Sequence, residues 1–211
     1  MNIVSPDAII ETPINREEIL KHLERCGRTC YKSEDKITED SAAQFVRAIV
    51  KSGHESVLEH QSITVRFICD RGVSHELVRH RLASYSQEST RYCNYKDKDI
   101  EFIIPLEIYY NDEVYKEWHY MCERAEISYK WMLERGVKPQ TARAVLPTCL
   151  KTEVVMTANL REWRHFFKLR AFGKAGKPHP DMRVLAYGLW VQMRDALPEV
   201  FDDLEDTDAE L

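Results

Sequence analysis

The sequence predicts an α+β chain, a single domain over residues 1–211 in which a small, mostly antiparallel sheet is flanked by helices. Three observations carry that expectation. Hydrophobic residues make up 44% of the 211 residues and charged residues 31%, enough apolar material for a real core and too much for a disordered segment. Helical spacing dominates, and the few strand-like stretches do not alternate with helices as a doubly wound sheet requires. Seven glycines form neither G-x-G-x-x-G nor G-x-x-x-x-G-K-[ST], which excludes a Rossmann turn and a phosphate loop.

Taken in order, the elements follow from periodicity and punctuation. Ile19, Leu20, Leu23 and Cys26 share a face of a helix over Glu17–Cys26, with Asn15 as its cap. A second helix follows Thr38, turning Ala42, Phe45, Val46, Ile49 and Val50 inward and stopping at Gly53. The period then changes to two: Ile63, Val65, Phe67 and Cys69 alternate with Thr64, Arg66 and Ile68, a strand that ends at Asp70-Arg71-Gly72. Val73–Ala83 reads as helix, and Glu101–Ile104 as a short strand stopped by Pro105. A long helix spans Asp112 to Arg135 before Gly136. Leu150–Thr157 is the second good strand, rich in threonine and valine. Asn159, with Glu162 three residues on, signals the start of a helix through Leu169. Asp181–Leu197 is helical before Pro198. From Asp202 the chain carries six acids in ten residues, which predicts a solvated, frayed tail.

Charge and targeting narrow the function classes. A net charge of −5 and a pI near 5.9 argue against an electrostatic nucleic-acid binder, which should be basic. No apolar run approaches the roughly 18 residues of a membrane span. Met1–Asn15 lacks a basic stretch followed by an apolar one, so no signal peptide is read and the expectation is a cytoplasmic protein. The six cysteines (26, 30, 69, 93, 122 and 149) are scattered. Cys26 and Cys30 alone cannot supply a closed four-ligand zinc site, so no metal site is expected and the thiols read as buried and free.

Two segments concentrate chemistry. Arg79-His80-Arg81, followed by Ser89 and then Arg91-Tyr92, places three arginines and a histidine within thirteen positions; these offer planar donor forks to phosphate or carboxylate. The intervening Ser84-Tyr85-Ser86-Gln87-Glu88 would not pack as a core but offers donors and acceptors for a ribose or a base. Asn159, Arg161, His165 and Arg170 form the second group. Asn159 to His165 turns roughly 600° and Arg161 to Arg170 roughly 900°, so each pair ends near opposite faces of one helix. Either some of the four are plain surface residues, or the helix sits between different ligands or subunits.

These residues also carry a family resemblance. Arg79-His80-Arg81-x7-Ser89 with Arg91-Tyr92 resembles the signature of the flavin-dependent thymidylate synthases. The likeness extends to Gly53-His54-Glu55-Ser56 with Glu59-His60, to Ala142-Arg143-x-Val145-Leu146-Pro147, and to Asn159-x-Arg161 ending at Arg170. It covers residues 50 to 170 in the family's order. The resemblance implies reductive methylation of dUMP to dTMP, with methylenetetrahydrofolate giving the carbon and FAD, reduced by NADPH, giving the hydride. It implies dUMP contacts from Glu76, Arg79, Gln87, Ser89, Arg91, Arg143 and Arg170, with Arg170 at the uracil edge and Ser89 orienting the nucleotide as the catalytic pair. A guanidinium fixed at that edge favours the anionic ring and so activates its carbon. FAD contacts are implied for Ser56, Arg79, His80, Arg81, Gln87, Asn159, Arg161 and His165, in a homotetramer whose active sites are shared between subunits.

Some positions depart from the family pattern. Ser86-Gln87 replaces a common Asn-Glu pair, Glu76 stands where glutamine often contacts dUMP, Gln140 takes a frequent glutamate position and His165 a frequent asparagine one. After Arg170 the usual stretch gives way to His179-Pro180-Asp181-Met182-Arg183-Val184 behind a Gly/Lys insertion. Rival readings are weaker. His54-Glu55 with His60 has the wrong spacing for a helical zinc site, which wants i, i+4. Ser89 has no nucleophile elbow around it. A non-catalytic nucleotide- or RNA-binding module built on residues 79–91 is the alternative, and an absorption spectrum distinguishes it, since only the enzyme carries a yellow flavin.

Overall fold

The period-two segment around Ile63 does form a strand, and it organises the sheet. The structure, a computed structural model, describes residues 1–204. In chain order the elements are β1 (Asn2–Val4), β2 (Asp7–Ile10), α1 (Arg16–Arg28), α2 (Ser41–Lys51), a 3₁₀ segment (Glu55–His60), β3 (Ser62–Asp70), α3 (Arg71–Leu77), β4 (Ala83–Gln87), β5 (Glu101–Ile103), α4 (Leu106–Tyr109), α5 (Asp112–Glu134), α6 (Pro139–Ala142), β6 (Lys151–Asn159), α7 (Leu160–Arg170), α8 (Pro180–Ala196) and α9 (Pro198–Phe201). A four-stranded sheet has the order β2-β3-β6-β4, and β1 pairs separately with β5. Contacts between β3 and β6 run from Gln61–Leu160 through Thr64–Thr157 and Arg66–Glu153 to Arg71–Thr148. One number rises as the other falls, so this central pair is antiparallel. The β1–β5 pair is parallel, with Ile3 opposite Phe102. The α+β class and the small, mostly antiparallel sheet read from the sequence are those observed.

By density of contacts the chain falls into two units. One contains Met1–Asp7, Arg66–Arg79 and Tyr85–Val155; the other contains Ala8–Val65, His80–Ser84 and the chain from Met156 on.

In the first unit, α5 turns Cys122 and Tyr129, two turns apart, into a cluster with Ile100, Phe102, Ala142, Cys149 and Leu150. The α3 helix starts where Asp70 accepts a hydrogen bond from the Val73 N–H at 2.6 Å, a carboxylate cap worth about 1 kcal/mol. It buries Val73 and Leu77 and ends there. The helical reading of Val73–Ala83 is therefore corrected: Val78 and Leu82 are exposed, and Ala83 begins β4. The short strands β1 and β2 and the helix α4 were not anticipated.

In the second unit, α1 presents Ile19, Leu20 and Leu23 to the core after Asn15 caps it by accepting from Glu18 N–H. Gly27 lies where α1 meets α2; a Cβ there would come within 2.7 Å of the Phe45 ring, which would have to shift. Gly53 (φ +71°) ends α2 in the left-handed region. The α7 helix buries Trp163, Phe166 and Phe167 completely, and each such ring contributes about 1.5–3 kcal/mol on burial. The Trp163 ring stacks on Phe167 and its N–H donates to the Ile63 carbonyl. Trp190 of α8 and Phe201 of α9 are buried in the same unit. Of the acidic tail, Asp202–Leu204 form a 3₁₀ turn with Leu204 buried, so at its start the tail is docked. The rest of the segment expected to fray, 205–211, lies outside the described residues.

Candidate active site

In the second unit, β6 runs straight into α7, and Asn159 makes the junction. Its Oδ1 accepts from the Glu162 N–H at 2.8 Å, the cap that the sequence spacing signalled. The Glu162 side chain does not return to complete a capping box. It goes to His80, 82 residues away: Nδ1 of His80 lies 3.0 Å from Glu162 Oε1. Glu162, Phe166 and Arg170 recur at i, i+4 and i+8, and this face of α7 holds the His80 ring. Phe166 meets it edge-on at 5.0 Å between centroids, with His165 at 5.7 Å. The Arg170 Nε–H donates to His80 Nε2 at 3.2 Å.

That geometry settles the state of the imidazole. A guanidinium nitrogen can only donate, so Nε2 must accept and the proton sits on Nδ1, donated to Glu162. Burial pushes the His80 pKa down to about 4, with the neighbouring Arg170 guanidinium and His165 adding to the effect. Burial raises the Glu162 carboxyl. The pair is thus a neutral imidazole held by a carboxylate rather than an ion pair. His80, Glu162 and His165 bring three ligand-type atoms within 4.8 Å of one another, a cluster not picked out from sequence. Both nitrogens of His80 are already engaged and a guanidinium stands beside it, so the chemistry of the group is that of a hydrogen-bond chain.

The opposite face of α7 is electrostatic. Arg161 pairs with Glu59 at 2.5 Å, both half-exposed. Arg164 is buried and donates to Glu55 at 2.9 Å, to both oxygens of Asp203, and to the Val200 carbonyl. Lys168 lies 3.6 Å from Glu55. Glu55 and Glu59 are therefore counter-ions to a basic stripe. Ser56 is exposed on the same 3₁₀ segment and lines a cleft of about 440 Å³ with His54, Tyr31, Phe45 and Ile49. Arg81 is exposed and ion-pairs with no described residue.

The first unit holds most of the residues assigned by resemblance to dUMP. Gln87 donates to Ser74 Oγ at 3.0 Å and to Thr152 Oγ1 at 3.3 Å. Ser89 Oγ accepts from the Arg91 N–H at 3.3 Å, and neither a histidine nor a carboxylate hydrogen-bonds it among the described residues. A serine so placed lacks the base that would make it a nucleophile. Arg143 donates to the buried Thr90 hydroxyl at 2.8 Å, which draws Arg143 together with Ser89 and Arg91. The Arg91 guanidinium lies over the Tyr92 ring at 5.5 Å. Arg79 is exposed just past the end of α3, and Glu76 is half-buried. Ser74, Thr90 and Glu162 are the participants that sequence reasoning missed; only Glu162 had a local signal, as the third residue after a cap.

Three of the cysteines, Cys69, Cys122 and Cys149, are buried. Cys69 is buried and its thiol pushed up to about 12 by burial and the neighbouring Asp70. Cys122 and Cys149 are buried with their sulfurs 3.6 Å apart, and Cys26 and Cys30 are free thiols.

The fold is one seen before. It matches the structure of a UMP/dUMP methylase, PolB from Streptomyces cacaoi bound with 5-Br dUMP, with a TM-score of 0.82 and 20% identity over 96% of each chain. It also matches thymidylate synthase X from Helicobacter pylori with FAD and dUMP, with a TM-score of 0.74 and 24% identity, covering 94% of this chain and 98% of that one. Those likenesses define the fold class. Residues 14–199 match the family described as thymidylate synthase complementing protein, and the chain belongs to that family. A flavin-dependent thymidylate synthase from Pyrococcus furiosus is 38% identical over 152 residues, 71% of this chain. The chain spans about three fifths (62%) of the length of that relative.

Proposed function

We propose that this protein reductively methylates dUMP to dTMP, taking the carbon from methylenetetrahydrofolate and the reducing equivalents from NADPH through FAD. The observation that carries the reading is family membership over 14–199 together with the seating of Arg170 on neutral His80 within the family's own motif. The donor set fits an anionic dinucleotide. Arg81 and Arg79 are exposed cations, and Ser56 and His165 are exposed polar groups near the same motifs. In this proposal Ser56, Arg79, His80, Arg81, Gln87, Asn159, Arg161 and His165 hold FAD, and the flavin supplies the hydride when bound.

The chain's own groups do the rest. Arg79, Arg91 and Arg143 give charge-assisted hydrogen bonds to the phosphate, each worth about 1.5–3 kcal/mol. Gln87, Ser89 and Glu76 orient the sugar and base. Arg170 stabilises negative charge on the uracil ring, which raises the reactivity of its carbon. Among the described residues no helix is long and apolar enough to cross a membrane, and we assign the protein to the cytoplasm.

We further propose a homotetramer with sites completed by neighbouring subunits. Tyr120, Ile127 and Trp131 recur along one face of α5 with Met121 beside them, each more than half exposed. Apolar residues at that spacing mark a helix face that wants a partner.

The test is dTMP formation from dUMP with FAD, NADPH and methylenetetrahydrofolate, each omitted in turn. Turnover that needs all of them supports the reading. A protein that remains colourless after FAD addition, or that binds FAD and dUMP but makes no dTMP, overturns it.

A further inference from the structure

We infer that Glu162 is a positioning residue for Arg170, acting through His80: its carboxylate holds the imidazole as the Nδ1–H tautomer, and the free Nε2 lone pair then receives the Arg170 Nε–H. The inference rests on the reading above only in giving Arg170 its place at the uracil edge. The observations are geometric. Glu162 Oε1 and His80 Nδ1 are 3.0 Å apart, and His80 Nε2 and Arg170 Nε are 3.2 Å apart. Glu162 and His80 have side chains only 6% and 2% exposed, so water does not compete for either contact. Phe166 packs its edge on the imidazole and leaves the ring little freedom to turn.

The consequence follows from donor counting. In water neutral histidine prefers the proton on Nε2. With the proton there, two donors would face each other at the Arg170 contact and that hydrogen bond would be lost. With it on Nδ1, every donor in the chain finds an acceptor. Because the tautomer is fixed by Glu162, a residue that need touch neither nucleotide nor flavin sets the direction of the arginine that does. A group held by a second layer of hydrogen bonds is placed more accurately than one left to its own rotamers.

The test combines a spectroscopic and a kinetic readout on FAD-bound protein. Solid-state NMR of ¹³C,¹⁵N-histidine-labelled protein, with His80 identified by difference against His80→Asn, should show Nδ1–H at His80 in the wild type. Glu162→Ala should convert it to Nε2–H and expose the Arg170 Nε–H to rapid exchange. It should also lower kcat about ten- to hundredfold, as a misplaced catalytic group does, with KM for dUMP and FAD affinity within about threefold. Glu162→Gln, whose amide oxygen still accepts from Nδ1, should keep the tautomer and most of kcat. Should Glu162→Ala fail to fold, Glu162→Ser, too short to reach the ring, serves in its place. An Nε2–H tautomer in the wild type overturns the inference, as does a variant that changes tautomer and leaves kcat intact. If the wild type methylates no dUMP, the proposed function fails, while the tautomer and the Arg170 exchange rate still decide whether Glu162 positions that arginine.

Discussion

At the residue scale, a histidine buried neutral is a liability in acid. His80 titrates near 4 in the fold against about 6.5 when unfolded. Between those values the unfolded chain binds more protons than the native one, so stability is full above about pH 6.5 and falls as pH drops toward 4. The difference amounts to roughly 3 kcal/mol. Urea midpoints at pH 7 and pH 4.5 check this: the loss in wild type should exceed that in His80→Asn, and equal losses would place the acid sensitivity elsewhere. Arginine changes separate the ligands. Arg81→Ala should weaken FAD about ten- to hundredfold with little effect on dUMP, as loss of a charge-assisted bond would, measured by flavin fluorescence titration. Arg170→Ala should keep the flavin and lose most turnover. Cys69→Ser, Cys93→Ser and Cys149→Ser should each retain substantial activity, because none of the three lies in a motif that carries the family resemblance and Cys69 and Cys149 are buried; one folded variant without turnover would reinstate a covalent cysteine.

At the element scale, α7 carries the argument, because both of its faces are used. One seats His80; the other is clamped by Arg164 between Glu55 and Asp203. Removing the buried guanidinium leaves Glu55 with only Lys168 beside it and takes the partner from Asp203, at a cost of about 3 kcal/mol, the lower end for buried pairs because Asp203 is half-exposed. Arg164→Ala should shift the urea midpoint accordingly and loosen the flavin with it. The helix and its cap were legible in the sequence because capping and periodicity are local: Asn15 and Asn159, both read as caps, cap the helices that follow them. The strand β4 was not legible. Ser84, Ser86 and Gln87 are exposed and only Ala83 and Tyr85 half-buried, so its alternation is faint. Its state is decided by pairing with β6, as in the Glu88 N–H to Glu153 carbonyl bond. Leu82, inside the stretch read as helix, is 75% exposed. The site divides in the same way. Motif residues could be named from the linear pattern, whereas the Glu162–His80 contact spans 82 residues and no local signal announces it.

At the scale of the whole molecule, the prediction concerns assembly. The exposed apolar stripe of α5 should be covered by other copies, so Tyr120→Glu combined with Trp131→Glu should reduce the mass seen by light scattering below that of a tetramer. A closed assembly repeats any composite site in each copy, and α7 presents family-matched ligand positions on opposed faces, Arg161 on one and Arg170 on the other. If groups serving one site come from different chains, lesions placed in separate chains can be sorted apart. Arg170→Ala protein mixed with a Ser56→Ala, Arg81→Ala double variant should then regain part of the lost activity under subunit exchange, because some mixed sites carry no lesion. The recovery should require exchange, which tagged subunits can monitor, and should be absent when each variant is incubated alone. Full activity in a monomer, or no recovery despite demonstrated exchange, would assign every group of the site to a single chain.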